Sequence, residues 1–206
     1  SLPSCPTGAD CSSPPRTADL AHQPAFGYAS YLLTGDHYYL EELLFWATAN
    51  FLGFSPEGRS YDAGKLKGEQ LRGQAWGLRA LGQAAYITPD NHPMKSYFRS
   101  KLINNLNYYD TTYTSNPNAN ALGAIVNGSA IQPGEGWGGS DVIRAWQDDF
   151  FTWSVGHLVD LGFTEAIPLR AWKSKFPLGR MLDPGYCWLD APSYNVAVRN
   201  NASSPY

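Results

Sequence analysis

Leu33-Thr34-Gly35-Asp36-His37-Tyr38-Tyr39-Leu40 decides how this chain folds. An apolar segment, Ala25 to Leu33, is stopped at Gly35, and Asp36 stands where an aspartate caps a following helix. Pro24 falls near the first turn of that segment, a place where proline is tolerated. From His37 to Phe51, the residues Tyr39, Leu40, Leu43, Leu44, Ala47 and Phe51 recur at spacings of three and four, which is one face of a helix. The layout is helix, tight break, helix. It recurs around Pro89-Asp90-Asn91 and Gly162-Phe163-Thr164. A helix pair with one apolar stripe per helix cannot bury both faces alone. Degenerate pairs at irregular spacing therefore point to hairpins packed side by side, in a solenoid or a closed ring.

Between the first two breaks, Gly53 to Gly68 holds Pro56 among polar groups and reads as a connection over one end of the bundle. Glu69 to Ile87 places Leu71, Ala75, Leu78, Leu81 and Ala85 on one helical side. Gly73, Gly77 and Gly82 each cost that helix about 1 kcal/mol against alanine, which close backbone approach must recover. Pro89 stops it. Asp90 to Pro93 opens the next helix, with Met94, Tyr97, Phe98, Leu102, Leu106 and Tyr109 as its stripe. Thr114 to Ser140 is rich in Asn and Gly, the kind of long irregular stretch that serves a site. Asp141 is expected to cap a helix running to about Leu161 through Trp146, Phe150, Trp153, His157 and Leu158, and Glu165 to Phe176 completes the third hairpin. After Pro177 the chain is expected to be irregular, apart from a short strand-like alternation over Tyr194 to Val198. The expectation is one all-α domain over residues 1–206, with a surface coil at 1–21 and an irregular tail at 177–206.

Composition narrows the function classes. With 206 residues and 43% hydrophobic content, the chain can bury one substantial core. Only 16% of residues are charged and the net charge is −3, which leaves no positive footprint for a phosphate backbone and argues against nucleic acid as a partner. Seven Trp, thirteen Tyr and nine Phe suit either broad apolar faces or a sugar-lined cleft. Every apolar run is broken before about 18 positions, so no membrane span is expected. Cys5 and Cys11 flank a turn-forming stretch that would close a small disulfide loop in an oxidising compartment, with Cys187 left over. Asn127-Gly128-Ser129 and Asn201-Ala202-Ser203 match the glycosylation acceptor pattern. The start Ser1-Leu2-Pro3-Ser4 lacks a basic region followed by an apolar one, as in a mature chain or a piece of a longer one. A secreted or periplasmic location is the expectation.

Arg72-Gly73-Gln74-Ala75-Trp76-Gly77-Leu78, followed by Ala84-Ala85-Tyr86 and Pro89-Asp90, resembles a segment of the six-hairpin, or (α/α) toroid, glycosidases, nearest to the unsaturated glucuronyl hydrolases. Leu33 to Leu40 and Asp149-Phe150-Phe151 through Leu161-Gly162-Phe163 resemble hairpin turns of the same superfamily, which also includes alpha-toroid polysaccharide lyases. The resemblance spans roughly Pro24 to Phe176. It implies a ring of hairpins that attacks sugar chains in a cleft at one end. Three hairpins are legible here, so the expectation is a partial toroid completed by a second chain or by further residues, with a self-contained helical bundle as the alternative.

Hydrolysis of a glycosidic bond needs one group to protonate the leaving oxygen and another to activate water or attack, usually two carboxylates. Glu69, Glu135, Asp141, Asp148 and Asp149 are the candidates. Asp149 is preferred because Trp153 and His157 continue its side at intervals of four; the plain alternative is an acidic pair that caps or solvates a helix start. Arg72 and Trp76, also four apart, would hold a uronate carboxylate and the apolar face of a sugar, and the resemblance places that segment on a cleft-facing helix. The alternative is an Arg72–Glu69 surface pair beside a core tryptophan. Glu135-Gly136-Trp137-Gly138-Gly139 offers an acid and an aromatic on a flexible rim, or a simple surface loop.

The competing chemistry is β-elimination, which neutralises a uronate, removes the C5 proton and protonates the departing oxygen. His22, Arg72, Asn127, His157 and Tyr194 provide such groups. The four histidines lack metal-ligand spacing, and no HExxH, phosphate-binding glycine loop or GxSxG occurs, so no metal or other cofactor is expected. The reading is a carbohydrate-active hydrolase that degrades a polysaccharide or uronate-containing oligosaccharide. Its catalytic candidates are Asp149, Glu135 and His157, and its substrate-binding candidates Arg72, Trp76, Trp137 and Trp153. A polysaccharide lyase and a non-catalytic carbohydrate-binding or structural helical domain are the alternatives.

Overall fold

A computed structural model of the chain describes residues 21–22, 26–68, 70–126 and 128–206. Helix α1 spans Phe26–Thr34 and α2 His37–Leu52. Between them Gly35 takes a positive φ of 66°, and the Asp36 carboxylate accepts the Tyr38 amide at 3.0 Å, as the sequence pattern leads one to expect. Helix α3 covers Leu71–Ile87, α4 Lys95–Tyr109, α5 Ala145–Asp160, α6 Ile167–Lys173 and α7 Lys175–Leu182, the last two following each other through Ser174.

The three expected hairpins are present as α1–α2, α3–α4 and α5–α6, and they pack around α3, which touches α1, α2, α4 and α5. Twelve of the seventeen α3 residues are buried, so α3 is the axis of the core. Its glycines are what make this approach feasible: a Cβ at Gly77 would lie 1.6 Å from the Asn50 amide of α2, and one at Gly82 would lie 2.0 Å from a Leu158 methyl of α5. Leu43, Phe51, Leu78, Leu81, Phe98, Leu102, Tyr109, Phe151, Leu158 and Trp172 form one continuous apolar cluster across these helices. The molecule is thus an all-α helical protein in its main body. The described residues do not close into a ring.

Several sequence-based boundaries move. Pro93 lies in the turn before α4 rather than inside its first turn. Asp141 does not cap α5; it opens strand β2 (Asp141–Arg144), which pairs antiparallel with β1 (Ile131–Gln132) and β3 (Asn195–Arg199) in the order β1-β2-β3. Its carboxylate is taken instead by Arg199 Nε at 2.7 Å and the Gly134 amide at 3.0 Å. The chain past Pro177 is not irregular at first, because α7 runs on to Leu182: Pro177 sits in its first turn, where a missing N–H costs no intrahelical bond. The alternation expected over Tyr194 to Val198 corresponds to strand β3, shifted by one residue to Asn195–Arg199, with Val196 and Val198 packed with Ala124, Ile143 and Phe176 in a second, smaller core.

The expected disulfide is corrected as well. No disulfide joins the described residues, and Cys187 is a free, exposed thiol, while Cys5 and Cys11 lie outside the described residues.

Candidate functional site

On α3, the residues left open on an otherwise buried helix are Arg72, Trp76, Arg79 and Tyr86, besides the terminal Ile87, with the buried Gln83 at the seam between them. Their spacing of four and three keeps them on one stripe. On α5, Trp146, Phe150, Trp153 and His157 form a matching stripe. The two stripes meet rung by rung: the Arg72 guanidinium lies 6.0 Å from the Trp146 ring, Trp76 meets Phe150 edge-on at 4.7 Å, and Gln83 Nε2 lies 3.2 Å from His157 Nε2. One sequence offset, 74 residues, relates the partners in all three rungs. Helices α3 and α5 therefore run parallel and in register.

Along α5 the rings continue one another. Phe150 stacks on Trp153 at 5.9 Å, Trp153 stacks on His157 at 5.4 Å with only 4° between the ring planes, and Tyr28 of α1 meets His157 edge-on at 6.0 Å. From Trp146 to His157 the stripe spans about 16 Å at 1.5 Å per residue. Trp153 is 53% exposed and Trp146 is exposed as well, while Phe150 packs partly against the core, so the stripe is a surface edge of the core.

Arg79 provides the charge of the stripe. Its guanidinium lies over the Trp76 ring at 4.2 Å and 6.0 Å from the Phe150 centroid, while its Nε and Nη2 atoms are buried without a hydrogen-bond partner. Burial lowers its pKa to about 10. Among the described residues no carboxylate pairs with it, in contrast to Arg99, Arg144, Arg180 and Arg199, each of which holds an acid. Burial also lowers the His157 pKa, against the pull of Asp160 and with a push from Arg79, so the imidazole is neutral near pH 7. With Gln83 on Nε2, Nδ1 is the ring nitrogen left for a ligand.

Of the sequence candidates, the structure brings Arg72, Trp76, Trp153 and His157 together on this stripe. Arg72 is not an unengaged receptor: its Nε donates to the Gln70 side chain at 2.8 Å. Asp149 lies beside the stripe, turned toward α7, where it pairs with Arg180. On a helical wheel of about 100° per residue it stands at the edge of the arc occupied by Trp146, Phe150, Trp153 and His157. Asp148 faces the other way and is fully buried against Lys173.

Glu135 and Trp137 sit apart, in the β1–β2 turn; Glu135 holds Arg144 at 2.5 Å and Trp137 is 99% exposed. Tyr194 lies under the same Arg144, 4.9 Å from its guanidinium. Glu69 and Asn127 are outside the described residues, and no cluster of three or more metal-binding side chains occurs among those described. Sequence reasoning overlooked Arg79, Gln83 and Tyr28 as site residues. The signal for the first two was the four-three spacing that continues from Arg72 and Trp76.

Set against known protein families, curated proteins and solved structures, the chain matches none. No described helix is long and apolar enough to cross a membrane.

Proposed function

We propose that this is a carbohydrate-active protein that lays a polysaccharide or uronate-containing oligosaccharide along the α3–α5 stripe and degrades it. The observation that carries the reading is the continuous ladder Trp76–Phe150–Trp153–His157, a row of part-exposed rings crossed by a guanidinium that pairs with no acid among the described residues. The exposed parts of Trp146 and Trp153 can pack on the apolar faces of sugars, and Arg79 supplies the attraction for an acidic unit.

Hydrolysis stays the first chemistry. Asp149, though paired with Arg180, is the candidate acid that keeps open surface beside the stripe, with its side chain 43% exposed, whereas Asp141 and Asp148 are buried in their ion pairs. β-Elimination is the second reading, favoured by His157 with Tyr28 edge-on to it at one end of the ladder and by the Arg79 charge farther along it, which acts on His157 through space. The resemblance to (α/α) toroid enzymes belongs to the same proposal. Parallel α3 and α5 with an open stripe are what two neighbouring inner helices of such a ring would present, and the exposed Leu32, Leu33, Phe45 and Leu52 of α1–α2 support a further hairpin, or a second chain, beside them. A secreted or periplasmic location accords with an extracellular polymer as substrate.

The test is a panel of acidic and neutral polysaccharides, followed at once for new reducing ends, for the ultraviolet absorbance of an unsaturated product and for tryptophan fluorescence. Reducing ends with absorbance identify a lyase, reducing ends alone a hydrolase, and a fluorescence change with neither a binding domain. No response from any polymer overturns the proposal.

A further inference from the structure

A depression of about 360 Å³ opens beside α7, lined by Asp149, Arg180, Met181, Trp188, Leu189 and Pro192. Its walls and floor differ in kind. Met181, Trp188 and Leu189 are large apolar side chains left mostly in water around it, an arrangement that a soluble surface rarely keeps without use. The floor is polar and rigid: Arg180, only 6% exposed, donates one Nη to the Asp149 carboxylate and the other to the Ala191 carbonyl, with its guanidinium 4.7 Å from the Phe176 ring centroid. That fork ties the end of the 3₁₀ turn Trp188–Asp190, at Ala191, to α5 and holds the carboxylate in place.

We infer that this depression is a second saccharide subsite, one sugar ring in size, in which Trp188 covers an apolar ring face and Asp149 accepts hydroxyl hydrogens. The volume lies at the small end of ligand pockets, and a few convergent polar groups within apolar walls are their usual composition. The charge on the floor selects the ligand class. Asp149 and Arg180 neutralise each other, so the site favours neither a free cation nor a free anion; what remains is the accepting capacity of the carboxylate oxygen that Arg180 does not hold, which suits neutral hydroxyl donors. Asp149 also connects the two sites, for it is one helical turn from Trp153 on the same side of α5. A chain lying on the stripe passes over Trp153 and places a further unit against Trp188. The inference rests on the stripe being the saccharide-binding face.

The experiment uses hyaluronan and glucuronoxylan fragments of graded length, polymers in which neutral units accompany the uronates, with affinity measured for the wild-type chain, Trp188→Ala and Trp188→Tyr. Trp188→Ala is expected to weaken the longest fragments by about fivefold to tenfold while leaving the shortest unchanged, with Trp188→Tyr close to wild type. Equal affinity of wild type and Trp188→Ala at every length overturns the subsite and leaves the stripe standing, and so does an equal loss at every length. Failure of every fragment to bind the wild type overturns both. Leu189→Ser, which changes the wall without touching the indole, controls for folding: a loss that tracks its thermal stability and not fragment length also counts against the subsite.

Discussion

Gln83 reaches across the α3–α5 seam to His157, Nε2 to Nε2 at 3.2 Å, and fixes the imidazole at the end of an aromatic ladder. The same 74-residue step that joins these two also joins Arg72 to Trp146 and Trp76 to Phe150. A constant step over several turns requires two helices of equal rise running the same way. Parallel neighbours in an all-helical chain need a connection that returns to the starting end, which α4 and the long 110–144 segment provide.

His157 makes stability depend on pH. Burial lowers its folded pKa below the ordinary imidazole value of about 6.5, so between the two values the unfolded chain binds more protons than the folded one. Stability is then complete above about pH 6.5 and falls as the solution is acidified through and below that value. Thermal unfolding between about pH 8 and pH 5 should show this loss, and His157→Gln, which removes the titration, should show less of it. An identical pH profile in the variant assigns the loss to other groups.

Trp153 and Trp76 separate binding from folding. Trp153 stands half in water, so Trp153→Ala should cost little stability and reduce saccharide affinity by about fivefold to tenfold if sugars stack there. Trp76 also touches Phe150 and carries Arg79, so Trp76→Ala should lose affinity together with about 1–2 kcal/mol of stability. Calorimetric binding and denaturant unfolding on both variants check this, and a Trp153→Ala chain that binds normally removes the ladder from recognition.

Asp148 and Lys173 form a different kind of pair. Both are wholly buried, and Lys173 also donates to the Gly123 carbonyl at 2.8 Å while Asp148 accepts the Ile125 amide at 3.2 Å. Burial pushes the carboxyl pKa up and the ammonium pKa down, each opposed by the charge of the other. Either Asp148→Ala or Lys173→Met should cost about 3–5 kcal/mol, because it strands the remaining charge. The double substitution Asp148→Leu/Lys173→Met should be milder than the worse single one. Denaturant midpoints for the three variants decide it, and additive losses would mean the two groups act independently.

The helices were legible wherever one face alternates with water. Gly35 with Asp36 marked the first break, and the stripes of α2, α3 and α5 followed from threes and fours. The small sheet was harder to read. Asp141 has the residue type of a helix cap, and only its long-range partner Arg199, 58 positions away, makes it a strand residue. Pro177 looked like a stop because sequence alone does not say that a new helix begins two residues before it. The site divided along the same line. Arg72, Trp76, Trp153 and His157 share periodicity and were grouped by it, whereas Arg79 was given no role because what sets it apart, a guanidinium laid over Trp76 with Nε and Nη2 buried without hydrogen-bond partners, exists only in three dimensions.

Asp149 provides the sharpest test of the chemistry. Asp149→Asn keeps the shape and an oxygen for Arg180 but removes the counter-charge of a guanidinium that is only 6% exposed, so some loss of stability is expected even without a catalytic role. Arg180→Met produces a comparable loss of stability with the carboxylate intact. If Asp149 is the acid or base of hydrolysis, Asp149→Asn should lower turnover by about 100-fold or more with saccharide affinity little changed, well beyond the effect of Arg180→Met. Reducing-end assays on folded samples of both, compared at equal thermal stability margins, give the answer. Equal activity in Asp149→Asn and wild type would confine Asp149 to holding Arg180 and move the search for the reacting groups to His157 and Tyr28 at the other end of the stripe.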